Sequence, residues 1–303
     1  MTKLIIGSRG SKLALLQSRQ VADLLIAKHP HLDVQISIIQ TRGDKNLHGP
    51  LDKIGGKAAF TIELEESLFN HKIDLAVHSL KDLPSTLVDG FIYQGSPLRE
   101  DARDVFVSTK WQTLDEVPNG GTIATGSSRR KSQLLHFRPD LIIEGLRGNV
   151  DTRLKKLEDS NWDGIITAAA AMHRLGLGDV ISEYLEPDMF VPSGGQGALG
   201  LEIAENRDEL KHMLNAIIDD DTTICCKAER IYLSKVEGGC SAPIGCWARI
   251  DKKTSYFTAY CANINGTKLM KNTVSGDIDK LDSLALKLAN DMIQDGAYSL
   301  FSA

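Results

Sequence analysis

Apolar residues alternate along this chain between short buried runs and stretches spaced for one face of a helix. Residues 3–6 read as a strand, broken by Gly7-Ser8-Arg9-Gly10-Ser11. Leu13, Leu16, Val21, Leu24 and Leu25 then fall at helical spacing and predict a helix through Lys28. Residues 33–40 form a valine- and isoleucine-rich strand that ends in Thr41-Arg42-Gly43-Asp44. Gly55-Gly56-Lys57 reads as a loop, residues 61–70 as a helix, and Leu75-Ala76-Val77 as a buried strand running into His78-Ser79-Leu80-Lys81-Asp82-Leu83-Pro84. Strands alternating with helices predict a parallel α/β sheet.

The pattern then repeats. Thr122-Ile123-Ala124-Thr125 leads through Gly126-Ser127-Ser128-Arg129-Arg130 into a helix over 131–137, as residues 3–6 lead through Gly7–Ser11 into the first helix. A strand over 139–144 ends in Leu146-Arg147-Gly148-Asn149, the counterpart of Thr41-Arg42-Gly43-Asp44. Asn149 starts a helix containing Val150, Leu154 and Leu157, and residues 163–168 parallel residues 74–79. Two related α/β domains are expected, each presenting Gly/Ser/Arg loops at the carboxyl ends of its strands, where open α/β sheets bind ligands. Residues 96–103 and 192–197 read as two crossings that form a hinge, with 199–203 returning as a strand to the first domain. From about Asp219 the pattern changes to helix, loop, three alternating strands (248–250, 256–263, 267–274) and a helix over 279–294. The expected fold class is α/β, with two similar hinged domains of the periplasmic-binding-protein-like kind and a small α+β C-terminal domain. The expected boundaries are 1–97 plus 198–216, 103–191, and 218–303.

Composition narrows the functional classes. A net charge of −5 argues against a general nucleic-acid binder, so arginines matter here only where they cluster. Five cysteines cannot all pair, and their spacing suits neither a zinc site nor a disulfide scaffold, so no metal is expected. No secretory signal or membrane-length apolar stretch is visible, which places the expectation in a reducing cytosol.

The glycine–serine–arginine turns are strand-to-helix junctions, where free backbone N–H groups and a planar guanidinium can hold an anion. Arg9, Arg129 and Arg130 stand on such turns, and Arg147, Arg153 and Arg174 extend the set, which suits a polyanionic ligand. One isolated arginine would read as solvated surface charge; recurrence at equivalent strand ends reads as anion binding. Asp82 stands beyond a buried strand, where it could balance Lys81, cap the local backbone or face a developing cation. His78 reads as structural. Cys240 sits in Glu237-Gly238-Gly239-Cys240-Ser241-Ala242-Pro243-Ile244-Gly245, between a helix over 222–235 and the strands, on a loop suited to presenting a thiol.

These motifs together resemble the porphobilinogen deaminase (hydroxymethylbilane synthase) family. The resemblance rests on Gly7-Ser8-Arg9 with Ser11-Lys12-Leu13-Ala14-Leu15, Thr41-Arg42-Gly43-Asp44, Gly55-Gly56-Lys57, Ala76 through Pro84, Leu146-Arg147-Gly148-Asn149-Val150 to Arg153, Arg174-Leu175-Gly176-Leu177, Gly195-Gln196-Gly197-Ala198 and the Cys240 loop. They run in the family's order over nearly the whole chain. Gly126 and Ser128 depart from it, standing where the family usually has serine and leucine.

The resemblance implies a transferase of tetrapyrrole and haem biosynthesis. It would carry a dipyrromethane cofactor bound through a thioether to Cys240. Four porphobilinogen molecules would be added to this primer head to tail, each losing ammonia, before hydrolysis releases hydroxymethylbilane. By the same resemblance Lys81, Ser127, Arg129 and Arg130 hold cofactor carboxylates, and Arg9, Ser11, Arg147, Arg153 and Arg174 contact substrate and the growing end. Asp82 stabilises the cationic intermediates as the catalytic carboxylate. A cytoplasmic monomer needing no metal, nucleic acid or membrane is implied. The competing class is a non-enzymatic two-domain anion-binding protein, which would have no use for Cys240 on a third domain.

Overall fold

The computed structural model describes residues 3–41, 61–236 and 242–301. It divides into two compact units, Met1–Glu100 with Gly197–Cys226 and Asp101–Gln196 with Lys227–Ala303. In the first unit β1 (Lys3–Arg9) leads into α1 (Lys12–Lys28), with Ser11 between them as the cap whose hydroxyl accepts from Ala14 N at 3.2 Å. β2 (Asp33–Ile39), α2 (Ile62–Phe69), β3 (Leu75–Ser79), a 3-10 turn over Leu80–Asp82 and β4 (Phe91–Gly95) follow. The second unit opens with β5 (Asp104–Val107), β6 (Thr122–Ala124), α3 (Ser128–Phe137), β7 (Ile142–Glu144) and α4 (Val150–Glu158). It continues with β8 (Gly164–Ala168), α5 (Ala169–Arg174) and β9 (Glu183–Leu185). β10 (Leu199–Ala204) and α6 (Asp208–Asn215) belong again to the first unit, and α7 (Asp220–Val236) begins there and ends in the second. β11 (Ile244–Asp251), β12 (Thr254–Ala262), β13 (Leu269–Asp277), α8 (Leu281–Gln294) and α9 (Ala297–Phe301) complete the chain.

The two larger sheets share one topology. Strand order is β2-β1-β3-β10-β4 in the first and β7-β6-β8-β5-β9 in the second. The sequence predicts parallel sheets, and the first three strands of each obey, but the fourth strand, β10 or β5, runs antiparallel to both neighbours. The reason is how those strands arrive. Each is the first strand after the chain changes unit, not the end of a strand–helix–strand crossover, so the handedness rule for parallel connections does not act on it. The two similar α/β domains expected from the repeat are therefore present, each as a mixed sheet.

The repeat reaches individual hydrogen bonds. Asp74 N donates to Ile5 O at 2.8 Å, and its carboxylate accepts from Ile5 N at 2.9 Å. Asp163 does the same to Thr122, with distances of 2.8 Å for both bonds. In each domain an aspartate at the start of the third strand thus closes the open end of its neighbour, satisfying backbone groups that the ladder leaves over.

Both sheets are covered on two faces. Val21 and Leu25 of α1 pack with Leu210 and Leu214 of α6 on Leu4, Ile6, Val77 and Leu201, while Leu64 and Leu68 of α2 cover Ala76 from the other side. In the second unit Leu134 of α3 packs with Phe106 and Ile166, and Leu157 and Met172 of α4 and α5 pack with Val105, Val107 and Ile165. Each such fully buried aliphatic or aromatic side chain contributes about 1.5–3 kcal/mol. The third sheet, β11-β12-β13, is antiparallel throughout and carries α8 on one side. There Tyr232 of α7 stacks 5.5 Å from Phe257, both fully buried, and its hydroxyl reaches Met292. This is the expected small α+β module.

The aspartate clamp gives a stability test. Asp163→Ala leaves Thr122 N and the Trp111 indole N–H without their acceptor, and should cost about 1–3 kcal/mol in denaturant unfolding. Asp163→Asn, which keeps one acceptor oxygen, should cost less; equal losses would assign the effect to charge alone.

Candidate active site

In the first unit a cavity of about 70 Å³ opens at the carboxyl ends of β1 and β3. Arg9, Ser11, Thr61, His78, Ser79 and Asp82 line it. Ser11 is placed by its capping role on α1, and Asp82 by the 3-10 turn, which Leu80 N fixes by donating to Ala198 O at 3.0 Å. Asp82 is half-buried, and among the described residues no hydrogen bond or ion pair uses its carboxylate. The capping alternative open at the sequence level therefore has no bond to support it. Lys81, beside it, is also half-buried.

In the second unit Ser127 caps α3, its hydroxyl accepting from Arg130 N at 3.4 Å. The helix begins at Ser128, three residues earlier than the apolar spacing predicts, because this cap takes over the first turn. Arg129 and Arg130 are then carried inward, to 4% and 5% exposure, against fully buried Asp104. Arg129 Nη1 donates to Asp104 Oδ2 and Val191 O, each at 2.7 Å. Arg130 donates to Asp104 Oδ1 from Nε at 3.0 Å and from Nη2 at 2.7 Å, and to Ile166 O from Nη1 at 3.0 Å. Gln196 Nε2 adds a further bond to Asp104 Oδ1 at 2.9 Å. Burial alone would raise the Asp104 carboxyl, but the two guanidiniums outweigh it and hold the group well below the usual carboxylate range. Burial pulls the Arg130 guanidinium down, with Asp104 opposing.

This changes the reading of the two arginines. Their first partner is a buried aspartate of the chain itself, and Arg130 uses all three of its nitrogens on the protein. Sequence reasoning passed over Asp104, within Asp101-Ala102-Arg103-Asp104, by treating the preceding residues as a crossing; the signal was an acid directly ahead of the apolar Val105-Phe106-Val107 run. It passed over Glu229 as well, which is fully buried on α7 and accepts from Gly195 N at 2.6 Å and Ala248 N at 2.8 Å.

Of the remaining candidates, Arg147 is exposed on the loop after β7, and Arg153 Nε donates to Gly148 O at 2.8 Å, closing the turn at which Gly148 takes φ 114°. Arg174 is the last residue of α5. Gly126 has a local reason: a Cβ there would meet Leu146 O at 2.3 Å, so this chain brings its two strand-end loops closer than a serine allows. Arg42, Gly43, Asp44, the Gly55-Gly56-Lys57 motif and Cys240 lie outside the described residues. The far end of the cysteine motif is described. Gly245 lets β11 pass against Val191 O, Pro192 O and Arg129 Cδ, where a Cβ would stand 2.8–3.1 Å from all three.

Comparison with known proteins accounts for the whole chain. The family model described as porphobilinogen deaminase, dipyromethane cofactor binding domain, matches residues 4–212, and the porphobilinogen deaminase C-terminal domain matches residues 223–294. The chain belongs to the porphobilinogen deaminase family. The porphobilinogen deaminase of Chromobacterium violaceum is 43% identical over 100% of this chain and 98% of that protein. Those of Syntrophotalea carbinolica and Clostridioides difficile are 42% and 41% identical, over 98% and 96% of this chain and 95% and 97% of theirs. The family's reaction is the one expected from the motifs, addition of porphobilinogen units with loss of ammonia onto a dipyrromethane cofactor, and the anion-binding alternative falls away.

The residues present fit such a cofactor. Two guanidiniums against one carboxylate leave a net positive charge at the capped amino end of α3, and an uncompensated buried charge is costly. A carboxylate-bearing ligand offsets that cost. Asp104→Asn should therefore cost about 3–5 kcal/mol in a melt at pH 7, by leaving two buried guanidiniums facing each other. The sign with pH follows from the lowered carboxyl. Its contribution is fully present above the unfolded value of about 3.9 and is lost as pH falls through the lower folded value. The parent should lose this stability only in strong acid, and the variant should lack that component; an unchanged acid limb would contradict the assignment.

Proposed function

We propose that Cys240 carries the dipyrromethane cofactor of this chain and that Asp82 is the carboxylate at the reacting centre. One observation carries the first assignment. The other four cysteines, Cys225, Cys226, Cys246 and Cys261, are all buried, and burial pushes the Cys261 thiol up to about 12. None of them presents its sulfur to an incoming pyrrole, because a nucleophilic sulfur needs exposure. Cys240 also stands only five residues ahead of Gly245, which lies against Arg129.

The cofactor supplies a covalent anchor and a nucleophilic pyrrole carbon. The chain's own side chains divide the remaining work. Ser127, Arg129 and the positive end of α3 bind cofactor carboxylates, with Lys81 as a further cation, and Arg130 serves that site through the Asp104 cluster. Arg9 and Ser11 bind the carboxylates of the incoming unit beside Asp82, and Arg147, Arg153 and Arg174 serve the lengthening product. Loss of ammonia places positive charge on a pyrrole ring. The carboxylate of Asp82, which no bond engages among the described residues, favours that charge over the neutral ground state. The small domain over 218–303 presents the cofactor, and the protein works as a cytoplasmic monomer without metal, membrane or nucleic acid.

Two measurements test this. Cys240→Ser should give folded protein whose intact mass lacks the pyrrole adduct, whereas serine at any of the other four cysteines should leave it in place; an adduct mapped to one of those four would sink the assignment. Asp82→Asn should keep its cofactor and melting temperature but release ammonia at least about 10²-fold more slowly in a single turnover. Asp82→Glu should retain more activity than the asparagine variant, whereas a capping aspartate would reverse that order.

A further inference from the structure

Beside Asp82, the same cavity is lined by a histidine whose partners have no part in the reading above. His78 Nε2 lies 2.8 Å from Glu202 Oε2, with both side chains buried at 4% and 0% exposure. The pair spans two strands. Gly200 of β10 stands opposite His78 and Glu202 opposite Ala76, so the two side chains are diagonal neighbours on one face of the sheet. Glu202 Oε1 is buried with no hydrogen-bond partner among the described residues. A second carboxyl, Glu65 of α2, is also buried, and burial followed by the Glu202 charge pushes it up.

The charged groups around His78 are Glu202 from β10 and Glu65 from α2, and Asp82 and Arg9 line the same cavity.

The fold does not require this cluster. The second domain has the same strand order, and Asp74 and Asp163 align the two domains residue for residue. At the positions of His78 and Glu202 the second domain has Thr167 and Val107. The same sheet packs there without a buried ion pair. The histidine–glutamate pair occurs only in the domain that holds Asp82, which separates it from the needs of folding.

We propose that His78, held and charge-balanced by Glu202, takes up the proton that each ring-to-ring bond formation releases. This rests on the assignment of the Asp82 cavity to the reacting ring. When the new carbon–carbon bond has formed, the C–H bond at the joined ring carbon breaks and its electron pair returns to the ring. The proton goes to His78 Nδ1, while Nε2–H remains donated to Glu202 Oε2, and the carboxylate stabilises the imidazolium. The ammonia released in the same cycle carries the proton away as ammonium. Asp82 then stabilises charge and His78 moves the proton, a division that a single carboxylate could not achieve without losing its charge midway.

The proposal requires an unprotonated Nδ1 in the resting protein, which nitrogen NMR of the ¹⁵N-histidine holoenzyme can observe, with His78→Asn identifying the signal by its loss. A proton on Nε2 alone at the working pH is the expected result. A proton on Nδ1, alone or with Nε2, leaves no acceptor and overturns the proposal. Kinetics give the second arm. His78→Asn, and Glu202→Gln more mildly, should slow turnover, the former about 10²-fold. Porphobilinogen deuterated at its free ring carbon should show a primary isotope effect in His78→Asn that is absent from the parent. A slowed variant with no isotope effect would reduce His78 to a structural residue, and parent-like turnover would remove it from the reaction. These outcomes differ from failure of the Asp82 assignment, which would appear in Asp82→Asn while leaving the His78 tautomer untouched.

Discussion

Asp104 is the anchor of the second domain. Its two oxygens accept from Arg129, from two nitrogens of Arg130, and from Gln196, so a strand, a helix start and the segment before β10 meet on one carboxylate. Burying a single aspartate would be prohibitive, and burying two guanidiniums together would be worse. The three are tolerable only in combination, and the combination carries one positive charge more than it needs for itself. That surplus is what supports the proposed binding of carboxylates there, and the arginines are already held by bonds within the protein.

The two α/β domains arise from the same sequence pattern and keep the same strand order, yet each buries its charge in a different place. The second puts Asp104, Arg129 and Arg130 where the first has Leu199, Leu13 and Ala14. The first puts His78 and Glu202 where the second has Thr167 and Val107. Features shared by both domains, such as the aspartate clamps and the capping serines Ser11 and Ser127, belong to the fold. Features present in one domain alone are not demanded by the fold: a buried aspartate between two arginines in the second, a buried histidine–glutamate pair in the first.

That separation has a chemical logic. A growing chain of pyrroles is a polyanion, and arginine, charged at every working pH, binds it whatever the protonation of its surroundings. The reacting ring needs groups of the opposite sign or of variable protonation. Had the carboxylate of Asp82 been paired with a strand-end arginine, its field in the cavity would be largely cancelled. Instead, no described bond engages it.

Much of this was legible in the chain. Local spacing determined the strand–helix alternation, the internal repeat and its order, the capped Gly/Ser/Arg turns and the cysteine motif, because helix faces, caps and turns are set by residues within a few positions of one another. Motif order across the chain was enough to indicate the family. The tertiary structure decided the rest. Periodicity does not encode the direction of a strand that enters from another unit, so β5 and β10 turned antiparallel unannounced. Asp104 and Arg129 are 25 residues apart, His78 and Glu202 are 124 apart, and local sequence does not show which residues will pair. Which arginine is already satisfied, which aspartate no described bond engages and which cysteines are sealed in the core are questions of burial and partnership. Only closing the sheets and packing the helices on them supplies the answer, because that is the step that removes water from some of these groups and leaves it on others.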